Sequence, residues 1–186
     1  MTSEDSRFSF HSLAPEQTRS AGVALARVVP GDGIVLSLSG GLGAGKTQFV
    51  KGLAEGLGLD PRFVTSPTFA IVNEYRPQTG PQLIHMDFYR LESEMALEEV
   101  GFLDLLALRA VLAIEWGDRF PGSLPADRME IQLDRTIDSE NEAPHPTTSV
   151  EKSPREFRVA ALGPVSQKAL RSWRDSQPWK SATESE

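Results

Sequence analysis

The chain has 186 residues, with 26 acidic and 19 basic side chains and a formal net charge of −7, so it lacks the positive balance with which a protein grips nucleic acid through backbone phosphates. It contains no cysteine, which excludes disulfides and thiolate metal sites, and its three histidines are too scattered for a zinc cluster. The length suits one domain that buries about 70% of its unfolded surface; neither the N-terminal MTSEDSRFSFHSL nor any later segment has the apolar run of a signal peptide or membrane span, so a soluble, cytoplasmic protein is expected.

Pro15 has the position of a first-turn proline, opening a helix to about Val29 with Gly22, Leu25, Ala26 and Val29 on its inner face. Gly31-Asp32-Gly33 turns the chain into Ile34 to Ser39, which reads as a buried strand. Next comes Gly40-Gly41-Leu42-Gly43-Ala44-Gly45-Lys46-Thr47, a match to the phosphate-binding pattern GxxxxGK followed by Ser or Thr. A glycine-rich turn could match by chance. The flanking strand and the helix after it, with Phe49, Val50, Leu53 and Leu57 on one face, are the context that the motif requires. The glycines let backbone N–H groups from Gly41, Leu42, Gly43, Ala44, Gly45, Lys46, Thr47 and Gln48 converge on an anion at the positive end of a helix. Lys46 is placed to reach β and γ phosphates, and the Thr47 hydroxyl to hold a magnesium ion that bridges them. The expected activity is that of a nucleotide hydrolase or transferase.

Gly58 reads as the C-cap of this helix, and Phe63-Val64 and Phe69 to Val72 as short extended segments around Ser66-Pro67, which implies a loop near the phosphates. Leu83 to Asp87 and Val111 to Trp116 are apolar runs that each contain a terminal carboxylate; between them, about Glu92 to Leu108 looks helical with a break near Gly101. Met129 to Leu133 and Phe157 to Leu162 alternate as an antiparallel pair. Their connection, about Asp138 to Pro154, is acidic and proline-containing and is expected to be a mobile loop, with an acidic partner-binding segment as the alternative. The organisation expected is one domain over residues 1–163, then a short helix and a polar, fraying tail over 164–186.

In an open α/β sheet the ligand lies beyond the carboxyl ends of the strands, so Asp87 and Glu115 face the bound phosphates. A Mg·ATP site needs one carboxylate to help hold the ion and one polar group to align or deprotonate water, and these two acids can divide those tasks. The competing reading is that one of them caps a strand or pairs with Arg90 or Arg119. Trp116 reads as packing.

The segments GGLGAGKTQFVKGLAEGLG, TSPTFAIVNEY, HMDFYRLE and AIEW, in this order and spacing from about Pro15 to Gly163, resemble the bacterial TsaE family, the small ATPase of tRNA threonylcarbamoyladenosine formation. The resemblance implies a three-layer P-loop fold, here with a mainly parallel central sheet and antiparallel additions near the C-terminus. It also implies hydrolysis of ATP with Mg2+ and two protein partners, TsaB-like and TsaD-like, the second being the transferase. Any tRNA would be reached only through them. The family pattern puts Lys46 and Thr47 on phosphate and magnesium, Glu115 on magnesium, and Asp87 near the catalytic water. Ser66-Pro67-Thr68 looks like its first switch segment and His85 to Arg90 like its second, making Ser66, Thr68, His85 and Arg90 candidate switch or partner contacts. The chain departs from the family at Gly41, where Asp is usual. Arg155 resembles an arginine near the family's nucleotide, but the insertion before it leaves it outside the assigned set. A small-molecule kinase would need an arginine-rich lid, and a GTPase an NKxD reader and a DxxG loop, none of which the sequence contains. A nucleotide-dependent regulator with little turnover is the remaining alternative.

Overall fold

The computed structural model describes residues 6–136 and 154–176. Its strands are β1 (Arg7–Ser12), β2 (Ile34–Ser39), β3 (Val72–Tyr75), β4 (Gln82–Asp87), β5 (Ala110–Glu115), β6 (Met129–Arg135) and β7 (Arg155–Ala161). Its helices are α1 (Pro15–Ala26), α2 (Lys46–Gly56), α3 (Glu94–Glu99), α4 (Phe102–Leu106) and α5 (Pro164–Ser176). The strands form one sheet in the order β1-β7-β6-β2-β5-β4-β3. Pairings β6–β2, β2–β5 and β5–β4 are parallel and make its centre, while β7 joins β6 antiparallel. The antiparallel additions are more extensive than the C-terminal pair read from sequence. N-terminal β1 closes one edge against β7, and β3 closes the other against β4.

Period-two alternation decides which layer each central residue joins. In β5, Val111 and Ala113 enter the core beneath α1, α2 and α5, whereas Ala110, Leu112 and Ile114 enter the core beneath α3 and α4. Helices on both faces explain why β4 and β5 are buried along nearly their whole length rather than alternating in exposure. The same parity carries Leu83, His85 and Asp87 of β4, and Glu115 of β5, to the side of α2. Helix α2 is pinned there by Phe49, Val50 and Leu53, all fully buried, each contributing about 1.5–3 kcal/mol of apolar transfer. It packs against α1 so closely that a Cβ on Gly22 would stand 2.3 Å from the Phe49 carbonyl oxygen. From α5, Trp173 buries completely and donates its indole N–H to the Ala21 carbonyl at 3.0 Å. The face of β1, β7 and β6 away from α1 and α5 carries Arg7, Glu130, Gln132 and Arg158 and borders an open trough of about 1030 Å³.

Several boundaries differ from the sequence expectations. Helix α1 stops at Ala26, three residues early, and the chain leaves it through a turn in which Val28 and Val29 both donate to the Leu25 carbonyl. Phe63 ends a 3-10 turn over Pro61–Phe63, whose N-cap Asp60 accepts the Arg62 amide. Phe69 to Ile71 form a turn because Ile71 takes a left-handed φ of 66°, so the strand begins only at Val72. The break in the helical region falls at Gly101, whose φ of 70° separates α3 from α4. The acidic segment expected at 138–154 lies outside the described residues except for Pro154, as does the tail after Ser176. Among the described residues no helix is long and apolar enough to cross a membrane.

Candidate nucleotide site

The glycine-rich loop leaves β2 and enters α2 through Gly45, which has a left-handed φ of 110°. Gly40, with φ 129°, sits so close to β6 that a Cβ would meet the Leu133 carbonyl oxygen at 2.1 Å. A Cβ on Gly41 would meet nothing within 4 Å. The loop thus has room for a side chain at Gly41 and none at Gly40. Gly41→Asp is therefore expected to shift stability by less than about 0.5 kcal/mol, and Gly40→Ala to cost about 3 kcal/mol or more. Denaturant unfolding of both variants checks this, and equal losses would contradict it.

Lys46 is 4% exposed, and its ammonium donates to the carbonyls of Gly40 (2.7 Å) and Gly41 (3.0 Å) while lying 4.0 Å over the Trp116 ring centroid. Burial lowers its pKa, and the negative charges of Glu115, Asp87 and Asp118 oppose that shift. Trp116 is more than packing filler: it takes a left-handed φ of 60°, is fixed by its N–H to the Leu38 carbonyl at 2.7 Å, and walls the site.

Strand register places the two acids side by side, since Asp87 is the partner of Glu115 in the parallel β4–β5 ladder. From the first turn of α2, Thr47 Oγ1 donates to Glu115 Oε1 at 2.7 Å, and His85 Nε2 meets the same oxygen at 2.9 Å. Asp87 Oδ2 accepts from the hydroxyls of Ser66 (3.0 Å) and Thr68 (2.7 Å), and Oδ1 accepts the Tyr89 amide at 2.9 Å. Neither carboxylate pairs with the arginines considered above. Arg119 donates to the carbonyls of Tyr89 and Leu91, and the Arg90 guanidinium lies 4.1 Å over the ring of Phe69, which is 83% exposed.

These groups surround a cavity of about 620 Å³, within the usual range for a small-molecule ligand. Of the predicted residues, Leu42 to Gln48, Ser66, Thr68, Asp87 and Glu115 line it. Gly41 and Arg90 are not among its lining residues, and Arg90 is exposed. His85 requires a correction. It is fully buried in the middle of β4, between Asn73 of β3 and Ala113 of β5, so it cannot touch a partner.

Two arginines complete the loop's surroundings. Arg155 and Arg135 are register partners on β7 and β6. Arg155, 5% exposed and lining the cavity, donates from Nε to the Ala44 carbonyl at 2.9 Å, and Arg135 reaches the Gly43 carbonyl at 3.3 Å. Burial, and then the nearby charge of Arg135, lower the pKa of Arg155. Sequence reading set Arg155 aside and did not consider Arg135. For a cation, the donors are hard oxygens: Thr47 Oγ1 and the Glu115 carboxylate. The described residues contain no group of three or more His, Cys, Asp or Glu that could cage a metal. That set fits magnesium, which is commonly held by one or two carboxylates together with phosphate and water.

The family model described as threonylcarbamoyl adenosine biosynthesis protein TsaE matches residues 12–143. The chain belongs to the TsaE family. The tRNA threonylcarbamoyladenosine biosynthesis protein TsaE of Bacillus subtilis is 42% identical over 134 residues, covering 72% of this chain and 81% of its own. Its Streptomyces coelicolor counterpart is 38% identical over 133 residues, covering 70% and 88%. The crystal structure of Bacillus subtilis YdiB has the same architecture, with a TM-score of 0.68 at 30% identity over 91% of this chain and 95% of that one. The TsaE match ends before β7, so the place of Arg155 at the site rests on geometry alone.

Proposed function

We propose that the chain hydrolyses Mg·ATP at this site, and that hydrolysis drives or resets a transferase complex of TsaB-like and TsaD-like proteins that forms threonylcarbamoyladenosine in tRNA. The observation that carries the reading is the Thr47 to Glu115 hydrogen bond of 2.7 Å at the foot of the phosphate loop, one strand from Asp87. Backbone N–H groups of residues 41–48 hold the phosphates, and Lys46 turns from the loop carbonyls to the β and γ oxygens. Thr47 and Glu115 hold magnesium, which when bound neutralises charge on those phosphates. Asp87 aligns the attacking water and takes the proton it sheds as the bond from the γ phosphorus to ADP breaks. Residues 1–163 work as one ATPase domain in the cytoplasm, with the helix over 164–176 packed onto it.

The Ser66 and Thr68 hydroxyls both end on Asp87, so the loop they belong to is tied to whatever Asp87 contacts. Nucleotide state then becomes legible at the surface around Phe69 and Arg90. The net charge of −7 supports leaving tRNA contact to the partners. With tagged chain as bait, the TsaB-like and TsaD-like proteins are expected to be retained with a non-hydrolysable ATP analogue and largely lost with ADP. Equal capture with analogue, ADP and no nucleotide would contradict the switch, and submicromolar tRNA binding by the isolated chain at physiological salt would contradict the assignment of tRNA to the partners.

A further inference from the structure

We infer that His85 is a positioning residue for the proposed magnesium site, donating from Nε2 to Glu115 Oε1 and so fixing the carboxylate that would help hold the cation. The inference rests on the magnesium reading above. Glu115 Oε1 lies 2.7 Å from Thr47 Oγ1 and 2.9 Å from His85 Nε2, and among the described residues no protein group donates to Oε2. A carboxylate oxygen accepts, so Nε2 carries a proton and donates to it. The other ring nitrogen, Nδ1, is buried and has no hydrogen-bond partner, a cost that an apolar residue at this position would avoid. Filling the core therefore does not account for histidine here, and the compensating gain lies at the Nε2 end.

The neighbouring charges show what that gain does. Among the charges acting on Lys46, Glu115 exerts the largest effect, ahead of Asp87 and Asp118. The charge of Lys46 thus attracts the Glu115 carboxylate as well. Two donors on one oxygen, one from α2 and one from β4, hold it in place. The role is indirect, through orientation of a ligand, as for other groups that hydrogen-bond to a metal's ligands.

Calorimetric titration of ADP into the full chain, with Mg2+ and with EDTA, separates the possibilities. The parent is expected to bind ADP more tightly with Mg2+. In His85→Leu that gain should fall by about 10-fold or more while metal-free affinity stays within about two-fold, and His85→Gln, whose amide can donate from near the Nε2 position, should keep the gain to within about three-fold. NMR of the ring nitrogens of the parent is expected to find Nε2 protonated. Full retention of the gain in His85→Leu, equal loss in both variants, or an unprotonated Nε2 would each overturn the inference. A parent with no magnesium gain at all would instead sink the magnesium reading, and the inference with it. Should His85→Leu not fold, the glutamine variant and the protonation of Nε2 in the parent still decide.

Discussion

Lys46→Ala is expected to lower ATP turnover by about 10²- to 10³-fold, or ~3 to 4 kcal/mol of transition-state stabilisation, because it removes a cation aimed at the transferring phosphoryl group. The side chain has no other ligand-free role that could carry such an effect. It donates to the Gly40 and Gly41 carbonyls and covers the Trp116 ring, contacts whose loss costs about 1–3 kcal/mol of stability at most. Steady-state phosphate release measured beside a thermal melt separates the two effects. A folded variant with parental turnover, alone and with partners, would remove Lys46 from the chemistry.

Asp87→Asn is expected to bind ATP with an affinity close to the parent's and to hydrolyse it about 10²- to 10⁴-fold more slowly, the range for losing a positioned general base. The substitution keeps an acceptor for the Tyr89 amide and leaves a polar group facing the Ser66 and Thr68 hydroxyls, so the local geometry that Asp87 maintains has a substitute while its negative charge does not. Single-turnover kinetics with a parallel nucleotide titration read the two quantities apart. Retained turnover with weakened affinity would give Asp87 a binding role and reopen its division of labour with Glu115.

What the sequence made legible follows from how local each requirement is. The phosphate loop is readable because each of its positions answers a need met within eight residues: a left-handed turn, a close backbone approach, a cation, a hydroxyl. Asp87 and Glu115 are readable because each closes an apolar strand, and parallel register then sets them side by side. His85 and Asp87 lie two residues apart on the same strand, yet only His85 is placed differently from the surface contact expected of it. Parity puts both on the α2 face and both are buried, but depth along β4 depends on layers that cover the strand from both sides, and only Asp87, at the strand's end, lines the cavity. Strand β1 has a period-two signal in Phe8 and Phe10, yet its partner β7 begins at Arg155, a pairing that no local pattern encodes. Arg135 and Arg155 meet at the phosphate loop only through the β6–β7 register, which a 17-residue gap between the described segments conceals from any reading by spacing.

The most direct test of the central claim is phosphate release from ATP by the purified chain with Mg2+, in the presence and absence of the TsaB-like and TsaD-like proteins. The account predicts magnesium-dependent release that rises when the partners are added and collapses in Lys46→Ala under both conditions. Release that is absent with and without partners, or that is the same for the parent and Lys46→Ala, would contradict it.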